Sequence, residues 1–237
     1  MLENKATLPR HIAFIMDGNR RWAKLRALQS IEGHKAGMQA TKNIICRGKD
    51  LGINYMTFFV FSSENWLRTE EEVGFLMDLF FTSLSKSQYD FLIENNIKVQ
   101  FLGKRDTLID AIQKRMAECE AYTAGYDGIT INLAFNYGAR EEITHGIKLL
   151  INDLKSGHID LDMVTEDRFA KYLYRPDVPY PDLVIRTSGE YRMSNFLLWQ
   201  TAYSELYFTD ILWPDFDYKA LDLALESYAN RTRRYGK

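Results

Sequence analysis

Short apolar segments rich in β-branched and aromatic residues alternate with longer segments of helical period along this chain. The apolar segments predict strands buried on both faces: His11–Met16, Tyr55–Phe61, Lys98–Leu102, Thr130–Phe135 and Leu183–Ile185. The helical segments, several with Thr or Asp in a capping position, are His34–Leu51, Glu70–Asn95, Thr107–Thr123, Ala139–Leu154 and Asp217–Arg234. Alternating strands and helices predict an α/β domain with a mostly parallel central sheet flanked by helices.

The chain has the size and composition of one packed domain. Its 237 residues are 46% hydrophobic and 14% aromatic, and no Gly/Ser-rich linker or repeat divides them, so we treat residues 1–237 as a single domain. The 30 Lys and Arg nearly balance 32 Asp and Glu, leaving a net charge of -2, and a nucleic-acid partner is therefore not expected. Cys46 and Cys119 lie far apart and predict reduced thiols rather than a metal or redox centre.

The apolar segments also bear on location. The first ten residues include Glu3 and lack the apolar segment of a secretory signal. The longest apolar stretches, Tyr55–Phe61 and Phe75–Phe81, are far shorter than the roughly 20 residues that a membrane-spanning helix needs. We expect a cytoplasmic protein, with membrane contact limited to peripheral contact at the inner face.

Polar residues suited to phosphate follow the first predicted strand, at the strand end where parallel sheets bind ligands. The segment from Asp17 to Trp22 combines Gly18, which allows close backbone approach, with Arg20 and Arg21, and this favours an anion site. Asp17 would then hold a divalent cation that grips phosphate oxygens. The alternative is an Asp-Gly turn capped by Asn19 with solvated arginines, and the local pattern alone favours that alternative.

Two further clusters follow later strands. The segment from Phe61 to Arg68 supplies hydroxyls, an amide, a guanidinium and an aromatic ring, either as a substrate wall or as an ordinary loop. The segment from Arg186 to Asn195 again places two arginines around a glycine turn, which could clamp a second phosphate group. All three clusters are expected at the same edge of the sheet, because the carboxyl ends of parallel strands meet there.

Several residues are ambiguous from the sequence. Thr69 and Glu72 have capping-box spacing, so a structural role is preferred for Glu72. His34 is either a helix-start residue or a phosphate ligand, and Glu205, an acid within an apolar segment, would need a metal or an arginine as its partner if buried. An apolar stripe after Glu70 is typical of a helix face in a core; it comprises Phe75, Leu76, Leu79, Phe80 and Leu84.

Absent motifs narrow the chemistry. The chain has no P-loop, dinucleotide, nucleophile-elbow or zincin motif and no Asp-Asp pair. This argues against P-loop NTPases, Rossmann oxidoreductases, α/β-hydrolases and zincins, and against trans-type isoprenyl synthases with an aspartate-rich metal site.

Six strings resemble the cis-prenyltransferase family, in the family's order and over nearly the whole chain: HIAFIMDGNRRWA, GHKAG, FSSENWLR, NLAFNYGAREEI, PDLVIRTSGEYRMSNFLLWQTAYSELYF and RTRRYG. The resemblance implies a Mg²⁺-dependent prenyltransferase. Such an enzyme condenses an allylic diphosphate, usually farnesyl diphosphate, with successive isopentenyl diphosphates. The product would be a long cis-polyprenyl diphosphate such as undecaprenyl diphosphate, a lipid-carrier precursor for cell-wall glycans. A homodimer and an apolar product tunnel between sheet and helices are also implied.

The resemblance further implies roles for individual residues. Asp17 supports diphosphate departure and, with Glu205, binds Mg²⁺. Asn65 is implied in catalysis, although a neutral amide is a poor base and would rather position a phosphate oxygen or water that takes the proton. The allylic diphosphate is implied to bind Gly18, Asn19, Arg20, Arg21, Trp22 and His34. Isopentenyl diphosphate is implied to bind Arg186, Arg192, Met193 and Ser194. The region between the two substrates is implied to comprise Phe61, Ser62, Ser63, Glu64, Trp66 and Arg68.

One departure and two other classes of function stay open. Ser30 stands where the family usually has an arginine, so one diphosphate contact is either missing or supplied by Arg26. A non-catalytic partner subunit would lack the D-G-N and N-W-x-R loops, which are present here. A general phosphate-binding module would differ from the enzyme in showing no Mg²⁺-dependent release of diphosphate.

Overall fold

Six parallel strands form the centre of the structure, a computed structural model that describes residues 8–232. The strands are β1 (His11–Ile15), β2 (Tyr55–Ser62), β3 (Ile97–Leu102), β4 (Ile129–Tyr137), β5 (Leu183–Arg186) and β6 (Glu205–Phe208). Their order across the sheet is β3-β4-β2-β1-β5-β6, and every neighbouring pair is parallel. The predicted parallel α/β architecture is confirmed. The sequence did not predict β6, whose four residues begin with a charge.

Helices flank the sheet: α1 (Asn19–Leu25), α2 (Ser30–Leu51), α3 (Glu70–Ser83), α4 (Tyr89–Glu94), α5 (Asp110–Thr123), α6 (Ala139–Lys155), α7 (Glu166–Ala170) and α8 (Tyr218–Ala229). The predicted helix Asp217–Arg234 ends at Ala229, and its last two predicted residues lie outside the described part of the chain. Asp217 caps α8, since its side chain accepts from the backbone N–H of Ala220 at 2.9 Å. Within residues 8–232 no helix is long and apolar enough to cross a membrane.

The predicted helix Glu70–Asn95 is divided into α3 and α4, with a short 3-10 turn at Lys86–Gln88 between them. Three serines accompany the break. The hydroxyl of Ser83 donates to the carbonyl of Phe80 at 2.7 Å, and the hydroxyls of Ser85 and Ser87 lie 2.8 Å apart. Serine side chains that bond locally in this way compete with the helical backbone. We attribute the break to these serine hydrogen bonds, which cannot be predicted from the spacing of apolar residues.

Both faces of the sheet are buried, which explains the nearly continuous apolar strands. Along β1, Ile12 and Phe14 point into a larger core cluster, while Ala13 and Ile15 point into a smaller one on the other face. The larger cluster packs the sheet against helices that include α2, α3 and α8. This side of the sheet also holds the main cavity.

Candidate active site

The loops after β1, β2 and β5 meet around one cavity of about 800 Å³. This arrangement brings together the three polar clusters that the sequence placed at the carboxyl ends of the strands. Predicted site residues that line the cavity are Asp17, Asn19, Arg21, His34, Phe61, Ser62, Glu64, Asn65, Arg68, Arg186, Arg192 and Ser194. An adjoining polar cleft adds Gly18 and Arg20.

Two glycines of the G-H-K-A-G string allow α2 to contact the start of α1. A Cβ on Gly33 would lie 2.0 Å from the carbonyl oxygen of Asn19, and one on Gly37 would lie 2.3 Å from its Oδ1. Before α1, Gly18 has a φ of +111°, which favours glycine. The close crossing places His34, between the two α2 glycines, beside the loop that carries Asp17.

The His34 ring is held in its neutral form. Burial lowers the pKa of His34 to about 4, and repulsion by the Arg68 and Arg20 guanidinium groups adds to this effect against the attraction of Glu72. Its Nε2 is buried without a partner among the described residues. At neutral pH the ring can donate one hydrogen bond and accept one, but it adds no charge.

Arg186 holds the carboxylate of Asp17. Its Nε and Nη2 donate to Oδ2 of Asp17 at 2.9 and 2.6 Å, and its Nη1 donates to Oγ of Ser194 at 2.9 Å and to the carbonyl of Arg192. The hydroxyl of Thr187 also donates to the carbonyl of Asp17 at 2.7 Å. Arg186 is only 3% exposed, so it acts as a buried link between the β1 and β5 loops, with most of its donors already engaged.

A second ionic bridge spans the mouth of the cavity. Glu190 accepts from Arg21 at 3.0 Å and also pairs with Arg192. The bond from Arg192 lowers the pKa of Glu190. The Glu190 carboxylate therefore joins an arginine in the first turn of α1 to an arginine of the loop after β5.

The loop after β2 is fixed by its own hydrogen bonds. Oδ1 of Asn65 accepts from the backbone N–H of Ser62 at 3.0 Å, closing a capping box on the short 3-10 turn Ser63–Leu67. This oxygen is thus already engaged as an acceptor. The geometry agrees with a positioning role for Asn65 rather than with direct proton removal.

Glu72 lies at the capped start of α3, as the sequence predicted, and forms ion pairs as well. Thr69 does cap α3 by accepting from the backbone N–H of Glu72 at 3.4 Å. The Glu72 carboxylate, however, accepts from Arg68 at 2.8 Å and lies 3.5 Å from Arg20. The structural preference for Glu72 stands, and its carboxylate also pairs with two arginines at the mouth.

Asn195 is a site residue that the sequence reasoning did not single out. Its Oδ1 accepts from the backbone N–H of Arg140 at 2.9 Å and its Nδ2 donates to Glu64 at 2.8 Å, so it ties three loops together. Partial burial raises the pKa of Glu64, but hydrogen bonds, foremost from Asn195, lower it on balance. Asn195 has a φ of +62°, a conformation that asparagine tolerates better than most residues. An asparagine at the end of the Arg186–Asn195 segment is compatible with such a turn, but the sequence does not show which groups its side chain binds.

Four predicted substrate residues do not line the cavity or its adjoining cleft. Trp22 turns away and donates from Nε1 to Asp215 at 2.7 Å, while Met193 packs against the smaller core cluster. The hydroxyl of Ser63 donates to Glu64 at 3.1 Å. Trp66 supports the wall from behind, with its ring 5.2 Å from Phe61 and its Nε1 bonded to buried Asn136 at 2.7 Å. The geometry therefore favours supporting roles for these four residues over direct contact with substrate.

Glu205 lies at the opposite end of the sheet from Asp17. It is paired with Leu183 at the start of β5, and Leu183 is level with Ile12 at the start of β1. Asp17 comes five residues after Ile12, roughly 16 Å further along the strand direction. The Glu205 carboxylate instead accepts from Arg231 at 2.7 Å. Within a single chain, these two carboxylates are therefore too far apart to share one Mg²⁺, and their joint role in binding the metal stays a prediction.

Behind the polar mouth the cavity becomes apolar. Leu76, Leu79, Phe80 and Leu84 of the predicted stripe line it, facing sheet residues that include Phe58, Val99 and Ile131. Phe75 instead lies nearer the mouth, with its ring 6.2 Å from that of His34. The expected apolar tunnel between the sheet and the helices is present.

This fold and site define a class: an α/β enzyme whose strand-end loops gather arginines around a carboxylate and open into an apolar tunnel, as suits a substrate with an anionic head and a hydrocarbon chain. The Prenyltransf family model, described as undecaprenyl diphosphate synthase, matches residues 15–236. The chain belongs to this family, and it is a prenyltransferase.

Individual relatives agree. A protein named isoprenyl transferase from Neisseria meningitidis is 51% identical over 237 residues, which are 100% of this chain and 92% of that protein. A ditrans,polycis-undecaprenyl-diphosphate synthase ((2E,6E)-farnesyl-diphosphate specific) from Pseudomonas putida is 45% identical, covering 98% of this chain and 92% of that protein. The solved structure of lavandulyl diphosphate synthase from Lavandula x intermedia, in complex with dimethylallyl diphosphate, matches with a TM-score of 0.94 and 34% identity, over 98% of this chain and 100% of that chain.

Proposed function

We propose that this chain condenses farnesyl diphosphate with successive isopentenyl diphosphates to give a long cis-polyprenyl diphosphate such as undecaprenyl diphosphate. The observation that carries the proposal is the continuity of an arginine-lined mouth with an apolar cavity of about 800 Å³. Diphosphates suit the mouth because guanidinium groups bind phosphate through strong charge-assisted hydrogen bonds. A growing hydrocarbon chain suits the interior, where its burial is favourable.

The two diphosphates would occupy the two sides of the Glu190 bridge. We assign the allylic diphosphate to the side of Arg20, Arg21 and His34, and isopentenyl diphosphate to the side of Arg192 and Ser194. Substrate phosphates would replace the Glu190 carboxylate as partners of the arginines. Arg186 would act by orienting Asp17 and Ser194, because most of its own donors are engaged.

The residues present fit a Mg²⁺ ion that is held partly by substrate. Among residues 8–232 there is no group of three or more His, Cys, Asp or Glu that could hold a metal. Asp17 offers one carboxylate, 37% exposed, and Mg²⁺ commonly binds through one or two carboxylates together with phosphate oxygens and water. Bound there, Mg²⁺ would supply charge stabilisation for the departing diphosphate. Asp17 would orient the ion, and Arg186 would keep Asp17 in place.

A single incubation tests the proposal. The protein is mixed with farnesyl diphosphate and labelled isopentenyl diphosphate, with and without Mg²⁺, and the products are separated by chromatography. We expect long-chain products and diphosphate release only with both substrates and Mg²⁺. Binding of both substrates without turnover would instead favour the phosphate-binding module or the non-catalytic subunit.

Two finer proposals concern assembly and location. We propose a homodimer, which light scattering of the purified chain would test. We also propose peripheral contact with a membrane during release of the lipid product. Flotation of the protein with phospholipid vesicles, before and after turnover, would measure that contact.

A further inference from the structure

One lysine breaks the division of the cavity into a charged mouth and an apolar interior. The other lining residues that carry a charge belong to strand ends, to the loops that follow them, or to the first turns of α1 and α6. Lys42 lies eight residues after His34 on α2 and also lines the cavity, roughly 12 Å deeper along the helix axis. Only Ile45 follows it among the α2 residues that line this cavity. A cation therefore stands in the deep part of the tunnel wall.

The Lys42 ammonium bridges two elements across that wall. It donates to Oε1 of Gln88 at 2.8 Å and lies 5.3 Å from the centre of the Phe91 ring. Gln88 and Phe91 also line the cavity. Gln88 belongs to the 3-10 turn between α3 and α4, so the bond joins α2 to the segment where the predicted long helix is broken. All three side chains are partly exposed to solvent.

We propose that the Lys42–Gln88 hydrogen bond is a gate in the tunnel wall that limits the length of the polyprenyl product. The inference rests on the proposed condensation reaction. An extended isoprene unit adds four main-chain bonds, on the order of 5 Å, so the three units of farnesyl diphosphate already reach the depth of Lys42. Every later addition then pushes hydrocarbon against this bond. A partly exposed side-chain hydrogen bond can open to solvent, whereas the buried strands that form the opposite wall cannot yield in the same way.

Substitutions can make the Lys42–Gln88 bond either easier or harder to open. Lys42→Met and Gln88→Leu remove the bond and leave an apolar surface, and we expect longer products. Gln88→Glu adds a negative charge to the acceptor and so makes the bond an ion pair with Lys42, which is harder to open, and we expect shorter products. A general loss of stability would not produce shifts of opposite sign.

The chain offers a matched control in Lys49. Its ammonium donates to Oδ1 of Asn95 at 2.9 Å and so also bridges α2 to the end of α4. Neither Lys49 nor Asn95 lines the cavity. Lys49→Met therefore removes the same type of bond, again between α2 and the α4 region, without changing the tunnel wall. Its products should match those of the wild type.

The measurement is the distribution of product lengths from farnesyl diphosphate and labelled isopentenyl diphosphate at equal turnover. In Lys42→Met, the ratio of longer chains to the main wild-type product should rise by on the order of tenfold, the size expected for losing one hydrogen bond to a charged group. An unchanged distribution, a shift in the same direction for Gln88→Glu, or an equal shift in Lys49→Met would overturn the gate. If the wild type makes no polyprenyl product at all, the proposed function itself fails.

Discussion

Replacing Ser30 with arginine tests which groups hold the allylic diphosphate. Ser30 is the first residue of α2 and lines the polar cleft together with Arg20, Lys24 and His34. Arg26, the alternative source of the missing charge, is already engaged. Its Nη2 lies 3.2 Å from both carboxylate oxygens of Asp215, and its guanidinium lies 4.2 Å above the Trp22 ring. We therefore expect Ser30→Arg to tighten binding of farnesyl diphosphate and Arg26→Ala to leave it nearly unchanged.

The size of the gain follows from exposure. A hydrogen bond to a charged group contributes about 1.5–3 kcal/mol when well formed. Ser30 is exposed, so solvent screening and the entropy of ordering a long side chain reduce that figure to about 1 kcal/mol. The dissociation constant should then fall about fivefold. Product length should stay the same, because Ser30 lies at the mouth and not along the tunnel.

Calorimetric titration of farnesyl diphosphate in the absence of isopentenyl diphosphate measures the effect directly. Gln39→Arg is the matched control, since it adds the same charge to an exposed position of α2 roughly 13 Å further along the helix. A gain of equal size in the control would mean that general attraction, not a contact, is responsible. If Ser30→Arg has no effect and Arg26→Ala weakens binding sharply, our placement of the diphosphate is wrong.

Three further predictions follow from the site and the core. Asp17→Asn preserves an acceptor for Arg186 and should lower kcat by on the order of 10³ with little change in the denaturation midpoint; retention of a tenth of the activity would contradict the role of Asp17. Arg192→Ala should raise the KM for isopentenyl diphosphate about tenfold, and an equal change for the allylic substrate would contradict the division of the mouth. Burial lowers the pKa of His11 from 6.5 to about 4, so the unfolded chain binds a proton that the folded chain does not, and up to about 3 kcal/mol of stability is lost as the pH falls through this range. Denaturant titrations of His11→Gln should show a shallower loss than the wild type, and identical slopes would count against burial as the cause.

The sequence could predict those parts of the fold whose burial on both faces produces a continuous apolar segment. Strands β1 to β5 are apolar because both faces of the sheet are covered, and the start of each lies within one residue of its prediction. Polar clusters directly after buried strands had to meet at one edge. The serines between α3 and α4 were not interpretable in the same way. Their effect depends on which local hydrogen bonds they form, and apolar periodicity carries no information about that.

The position of Glu205 shows why the metal site was harder to predict than the fold. A residue that begins a strand and a residue that follows a parallel strand lie at opposite ends of the sheet. The distance between Glu205 and Asp17 within one chain could therefore not be predicted without the four residues of β6. The sequence had allowed either a metal or an arginine as the partner of Glu205, and Arg231 fills that role. Asp17 is left as the one carboxylate of the predicted pair at the mouth. If a cation on Asp17 takes its other ligands from water and substrate, Mg²⁺ should bind weakly to the free protein and much more tightly once a diphosphate is present.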